Sequence, residues 1–356
     1  MSDNSQFFAC VMAGGSGERF WPMSRARTPK HLLRLLSERT LVEETVRRIG
    51  AVVPKENIFV LTNEVQLPGT RAALAGLVPE AQIIAEPAKR DTAPAAALAT
   101  ALVRARGGDD ATLALLPADA FIADAAGFGR QLGGALARAS ASGAILTIAI
   151  RPDHAATGFG YLEMGAELDR GAAGTVREVK RFVEKPARAT AEGYVASGNY
   201  AWNAGMFFWR AGTFLGEAER NAPELAGFIR EFPRGDFAGY LAQRFPALPK
   251  ISVDYAIMEK ARAVETLLAQ FDWDDVGLWT ALPKHLKQDG AGNATRGPVF
   301  AAAAGNNIAI SNGRTIALCG VKDLVVVETA DAVLVCHRDA VQDIKQIVTQ
   351  LPKELL

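Results

Sequence analysis

Cysteine is scarce in this chain. The 356 residues hold three, Cys10, Cys319 and Cys336, odd in number, far apart and each inside an apolar run. That excludes a disulfide framework and a thiolate zinc site, and all three read as reduced core residues. Histidine is almost as rare: His31, His154, His285 and His337 are dispersed without metal-ligand spacing and are assigned no role. No Ser-His-Asp or Cys-His arrangement stands out, so a covalent nucleophile is not indicated. A charge excess of either sign is also missing. Lys+Arg and Asp+Glu both total 39, which argues against a dedicated nucleic-acid binder, whereas small phosphorylated ligands need only a local cluster of cations. No apolar run approaches the roughly eighteen residues of a membrane span. The start, MSDNSQFF, has neither a basic n-region nor a long apolar stretch, so no signal peptide is expected and the protein reads as cytoplasmic.

What is present fits a globular enzyme: 49% hydrophobic and 22% charged residues, with a length that favours one large domain plus a smaller one. Strand candidates at Phe7–Ala13, Ile58–Thr62, Ile83–Ala85, Thr112–Leu116 and Ala144–Ile150 alternate with helical patterns at Thr40–Ile49, Ala93–Ala105 and Phe128–Ala141. Such alternation predicts an α/β fold, a mostly parallel sheet covered on both faces, with ligands at the carboxyl ends of the strands. A more irregular stretch follows, with strands at Tyr161–Met164, Val176–Glu184 and Gly205–Arg210 and helices at Phe214–Glu219 and Tyr255–Ala261. It reads as the substrate half of the same domain. Beyond Gly290 to Pro298, five short runs recur every eight or nine residues between Val299 and Cys336, then a helix at Ala340–Leu351. This is an all-β module, a small sandwich or turns of a β-solenoid, suited to capping the core or to dimerising.

The first strand breaks into a turn with Gly14, Gly15 and Gly17, followed by Arg19 and, eleven residues later, Lys30. Backbone amides at such a turn approach an anion closely. The turn is not a Walker A loop, since no Gly-Lys-Ser/Thr follows, nor a dinucleotide fingerprint, since Phe20 occupies the third glycine's place. Asp119, after Leu-Leu-Pro-Ala at a strand's carboxyl end, is either a carboxylate for a divalent cation beside a nucleotide or a helix N-cap. One of Asp272, Asp274 and Asp275 could complete a carboxylate pair with it. An acidic loop anchored by Trp273 and Trp279 accounts for at least two of the three. In RFVEKP, strand alternation would turn Glu184 and Lys185 to opposite faces. Lys185 is then a point charge for a phosphate, or half of a solvated pair before a proline. Asn203, between aromatic residues that suit a core, is an amide fit for sugar hydroxyls. Phosphate-binding groups without a nucleophile point to direct phosphoryl or nucleotidyl transfer.

In order and spacing, AGGSGERFWPMSR with PKHLL, EPAKRDTAPA, LLPADA, TGFGYLE, RFVEKP, WNAGMFFW, SVDYAIMEK and DWDDVGLW resemble the sugar-phosphate nucleotidyltransferases. The tail GVKDLVVVETADAVLVC resembles that family's C-terminal β segment, so the likeness spans nearly the whole chain. EPAKRDTAPA and the Trp-Asn-x-Gly-Met-Phe form favour the guanylyl/mannose branch over the thymidylyl/glucose one.

The resemblance implies a Rossmann-like, mostly parallel mixed sheet flanked by helices over residues 1–290. A β-helix-like module with a terminal helix follows over residues 291–356. It implies Mg²⁺-dependent, in-line transfer from GTP to mannose 1-phosphate by a monofunctional enzyme. Gly14, Gly15 and Gly17 would wrap the triphosphate, Arg19 and Lys30 would bind and activate it, and Glu86, Arg90 and Thr92 would lie near the guanine or ribose. Asp119 and Asp275 would hold Mg²⁺, and Gly160, Glu184, Lys185 and Asn203 would contact mannose 1-phosphate. Asp254 lies in a matching motif with no role fixed. A homodimer through the C-terminal module is expected, with neither nucleic acid nor membrane as partner. His31, Ala120 and Leu278 depart from the family's usual Gln, His and Ser beside these positions and bear on affinity and fine specificity. Another hexose 1-phosphate or nucleotide is the alternative substrate, and a non-catalytic nucleotide-sugar sensor is the alternative class.

Overall fold

The computed structural model describes residues 6–356; Met1 to Ser5, part of the stretch behind the signal-peptide expectation, lie outside the described residues. Nine strands build the main sheet: β1 (Phe7–Met12), β2 (Ile58–Asn63), β3 (Ile83–Glu86), β4 (Thr112–Pro117), β5 (Ile145–Ile150), β6 (Gly160–Gly171), β7 (Gly174–Glu184), β8 (Tyr200–Arg210) and β9 (Val264–Leu268). Their order is β3-β2-β1-β4-β8-β5-β9-β7-β6. The sheet is mixed. β3, β2, β1 and β4 run parallel, as do β5 and β9, while β8 lies antiparallel between β4 and β5. β1 shows why it lies inside the sheet, between β2 and β4: FFACVM is apolar on both faces. Phe8 and Cys10 enter one core, while Phe7, Ala9 and Val11 enter the other.

Helix starts follow side-chain chemistry. Thr40 and Glu43 close a capping box on the helix Leu41–Ile49. Asp124 accepts from the Gly127 amide at the head of Ala125–Ser142, so Asp119 is not that helix's N-cap. The helix Thr92–Gly107 is buried along most of its length, and its alanines let neighbouring elements close in.

Two strands escape sequence reading: Ala294–Arg296, inside the stretch read as a connection, and β9 of the main sheet. β9 carries Glu265 near its start, where a charge argues against a buried strand, but Arg138 holds that carboxylate with two bonds of 2.7 and 2.8 Å. Tyr255–Ala261 is not an α-helix. Asp254–Met258 winds as a π-turn, with the Glu259 amide donating to the Asp254 carbonyl at 3.0 Å.

The C-terminal module is a solenoid. β10 (Ala294–Arg296), β12 (Ile308–Ser311) and β14 (Leu324–Glu328) stack in parallel on one wall, and β11 (Val299–Ala302) and β13 (Ile316–Cys319) stack on another. β15 (Val333–His337) closes the first wall antiparallel to β14. Buried asparagines link successive turns: Asn307 Nδ2 donates to Asn293 Oδ1 at 2.8 Å, and the Leu324 amide donates to Asn307 Oδ1 at 3.0 Å. Cys319 does not join a core; on β13 it alternates with buried Leu318 and faces out. The terminal α-helix is confined to Ile344–Val348, preceded by a 3₁₀ segment, Arg338–Asp343. Val341 of the 3₁₀ segment and Ile344 of the α-helix are both buried.

A third core joins the solenoid to the amino-terminal loop. Phe20, Trp21, Leu33 and Trp279 pack with Ile310, Val327, Leu334 and Ile344. Among the described residues no helix is long and apolar enough to cross a membrane.

Candidate active site

Two cavities open at the carboxyl ends of β1 and β4 and share Asp119 and Asp275. The first is lined by Ser16, Gly17, Arg19 and Lys30 as well. The second is lined by Thr92, Gly160, Glu184, Asn203, Asp254 and Trp273 among others.

Each glycine of the first loop does something different. Gly17 has φ 61°, and a Cβ there would fall 2.5 Å from Lys30 Cβ and 2.7 Å from Lys30 N. Only glycine lets this loop close against the turn Lys30–Leu32. A Cβ on Gly15 would meet nothing within 4 Å, and one on Gly14 would lie 3.8 Å from Glu86 Oε2. Glu86, at the end of β3, has no hydrogen-bond partner among the described residues, and burial pushes its carboxyl up to about 8.

Arg19 and Lys30 differ in their surroundings. Arg19 has no ion pair among the described residues, and its Nε is buried without a partner. The Lys30 ammonium is buried, bonded to Asp119 Oδ2 at 3.0 Å and to the Asp275 carbonyl. Burial raises the Asp275 carboxyl above the usual range, with Lys30 opposing and Asp274 and Asp119 adding to the rise. His31, next to Lys30, is driven down to about 4 by burial against the pull of Asp119, so it stays neutral.

The acidic cluster after β9 divides by role. Asp272 accepts from the Ala123 and Asp124 amides at 2.8 and 2.7 Å. Asp274 accepts from the Val276 amide at 2.7 Å and pairs with His285 Nε2 at 2.9 Å. Both anchor the loop, and Asp275 is left facing the cavities. Asp119 is held from behind by residues that sequence reading missed. Arg48 donates to the Ala120 and Ile122 carbonyls, and Thr45 donates to the Ala118 carbonyl. Their signal was only a polar pair on the inner face of an amphipathic helix.

On the other side, Glu184 and Lys185 do not point apart. β7 ends at Glu184, Lys185 takes φ 48°, and its ammonium folds back onto Glu184 Oε1 at 2.5 Å. Burial pulls Lys185 down, but its bond to Glu184 prevails and the ammonium is held above its ordinary value. Gly160 lies opposite Glu184 in register, and a Cβ there would come 2.6 Å from Glu184 Oε2. Asn203 sits at an irregularity where β8 departs from register with β5 and Gly205 takes φ 69°. Its Oδ1 accepts from Thr147 Oγ1 at 2.7 Å and from the Gly205 amide at 3.2 Å, which leaves the amide NH₂ for a ligand. Asp254, from the π-turn, is raised to about 7 by burial and by the charge of Glu184. Phe159 packs edge-on to Trp202 and Trp273 along this wall, with centroids 5.1 and 5.6 Å apart.

Gly14, Gly15, Glu86 and Lys185 are not among the residues lining either cavity, and Arg90 and Thr92 are bonded elsewhere. Arg90 donates to the Pro246 carbonyl and lines neither cavity. Thr92 Oγ1 accepts from the Val253 amide at 2.9 Å, tethering the Asp254 segment while lining the second cavity.

No group of three or more His, Cys, Asp or Glu that could hold a metal occurs among the described residues. Two hard carboxylate oxygens where two cavities meet do suit an oxygen-loving divalent ion that takes its other ligands from phosphate and water.

The sequence matches the model described as nucleotidyl transferase over residues 8–291, and that of the mannose-phosphate isomerase/GMP-like β-helix domain over residues 300–351. It is 39% identical to the xanthan biosynthesis protein XanB of Xanthomonas campestris pv. campestris, over 98% of this chain and 73% of that one. It is 38% identical to the mannose-1-phosphate guanylyltransferase of Escherichia coli, over 98% and 74%. Among solved structures, the Thermus thermophilus protein described as a mannose-1-phosphate geranyltransferase superposes with TM-score 0.88 at 32% identity, covering 97% of this chain and 99% of that one.

Proposed function

The chain belongs to the nucleotidyl transferase family, and we propose that it makes GDP-mannose and diphosphate from GTP and mannose 1-phosphate. The observation that carries this reading is the pair of cavities meeting at Asp119 and Asp275, one lined by Arg19 and Lys30, the other by Glu184, Asn203 and Asp254. Enzymes of this family generally use a divalent metal. Here we take it to be Mg²⁺ held by Asp119 and Asp275; when bound it supplies charge neutralisation at the reacting phosphates.

A phosphate oxygen of the sugar bonds to the α-phosphorus in line, and the bond to the β-bridging oxygen breaks with its electron pair leaving on diphosphate. Arg19 and Lys30 take up charge that develops on the leaving side. Lys185 faces the sugar phosphate as a point charge, while Glu184, Asn203 and Asp254 accept from and donate to the hexose hydroxyls. Glu86 reads the base: guanine presents N1–H and N2–H donors to one carboxylate, where adenine presents one donor and one acceptor. The catalytic part is residues 1–290 and the solenoid residues 291–356. The cytoplasm supplies GTP for the reaction. A homodimer through the solenoid is supported by the free edge of β15, where Val333 and Val335 stand exposed. Light scattering that returned a monomer mass would overturn that part.

A diphosphate-release assay with Mg²⁺ tests the function. GTP with mannose 1-phosphate should far exceed ATP, UTP or dTTP, and exceed glucose 1-phosphate. A preference for another pair reassigns the substrate, and binding of GDP-mannose without turnover makes the chain a sensor.

A further inference from the structure

The phosphate-side cavity has a wall that the nucleotidyl transferase segment does not supply. Lys345, from the helix Ile344–Val348 at the end of the solenoid module, lines it beside Arg19 and Lys30. Its position is fixed by its neighbours. Ile344, 1% exposed, is locked into the core shared with Phe20 and Trp21, and the helix packs directly on Glu18–Phe20, the segment that carries Arg19. Farther along, Trp21 Nε1 donates to the Leu355 carbonyl at 3.1 Å. Lys345 itself is exposed and has no ion pair among the described residues.

Charge balance argues for its use. Of the cations in this cavity, Lys30 is already engaged by Asp119, and Glu18, Asp119 and Asp275 are all present. Even with the divalent ion assigned to Asp119 and Asp275 counted in, Arg19 and Lys30 leave the walls with far too little positive charge to neutralise a triphosphate. A third, unpaired ammonium on a flexible stem alters that balance on the side where the terminal phosphates would lie.

We infer that Lys345 binds the β- and γ-phosphates of the nucleotide and the diphosphate that leaves, so that the solenoid contributes a substrate contact across the domain seam. This rests on the reading of the first cavity as the triphosphate site.

The test uses the full chain with Lys345→Met and Lys345→Arg. Calorimetry with inorganic diphosphate and Mg²⁺ should show affinity about tenfold weaker in Lys345→Met and restored in Lys345→Arg. The Met variant should also have a shallower salt dependence. Mannose 1-phosphate affinity and the melting temperature should not move. In the reverse reaction the KM for diphosphate should rise while that for GDP-mannose stays. Undiminished diphosphate affinity in Lys345→Met, equal weakening toward mannose 1-phosphate, or no diphosphate binding by the unaltered chain would each overturn the inference. Turnover of the unaltered chain is a separate readout. If diphosphate binds through Lys345 but no GDP-mannose forms, the substrate assignment fails and the Lys345 contact stands.

Discussion

Arg19 and Lys30 are both cations beside the glycine loop, but the fold leaves only one of them unpaired. Lys30 is held by Asp119 and the Asp275 carbonyl, so it is prepositioned and partly neutralised. Arg19 has no such partner among the described residues, and its charge is available to the triphosphate in the proposed reaction. Arg19→Ala should therefore lower kcat by about 10²–10³ with little change in stability, the usual cost of one donor to developing charge; near-normal turnover would remove Arg19 from the chemistry. Glu86 carries a pH prediction. With its carboxyl raised to about 8, it is mostly protonated at neutral pH, and only the ionised form accepts both guanine donors. GTP affinity should rise by up to about tenfold per pH unit on approaching pH 8 and level off above it. In Glu86→Gln this rise should be absent. A KM profile identical in the two proteins would exclude Glu86 from base recognition.

At the scale of elements, the site is made where strands stop being strands. β1 ends in the glycine turn, β7 ends with Lys185 in the left-handed region, β8 loses register at Asn203 to Gly205, and the Asp254 segment winds as a π-turn. The glycine turn, the irregularity in β8 and the π-turn bring Gly17, Asn203 and Asp254 into the cavity walls, while Lys185 folds back onto Glu184, which lines the second cavity. The glycine loop allows a paired test. Gly17→Ala meets both a positive φ and a contact of 2.5 Å to Lys30 Cβ. It should destabilise by about 2–4 kcal/mol in urea unfolding and reduce kcat more than about tenfold by displacing Lys30. Gly15→Ala meets nothing within 4 Å and should leave the unfolding midpoint unchanged while weakening GTP. Equal midpoints for the two variants would show that the close approach to Lys30 does not govern this loop.

Across the whole molecule, the solenoid and the α/β part share a core that holds Phe20, Trp21 and Trp279 together with Ile310, Leu334 and Ile344. Parts that share buried aromatic residues lose them together, so unfolding should be a single cooperative transition. Calorimetry with tryptophan fluorescence checks this. Leu334→Ala, far from both cavities in sequence, should lower that one transition by about 2–4 kcal/mol. Two resolved transitions, with only the first affected, would mean that the solenoid folds independently.

The parallel strands, the glycine turn and most site candidates were legible in the sequence because apolar runs, turn residues and strand-end carboxylates are local signals. The carboxylate pair could be proposed from one sequence, but which of Asp272, Asp274 and Asp275 faces the cavity depended on partners elsewhere, namely the Ala123 and Asp124 amides and His285. β9 was hidden for the same reason, since Arg138, more than a hundred residues away, neutralises its glutamate. The choice of a solenoid over a sandwich needed the parallel pairing of β10, β12 and β14, which spacing alone does not encode. Likewise, nothing local to Lys345 marks it as different from any surface lysine. Propensity and periodicity act within a few turns of chain, whereas charge compensation and cavity walls are set by residues that meet only once the chain has packed. Local sequence is therefore enough to set the elements and the kind of chemistry, and packing settles which side chains are left free to perform it.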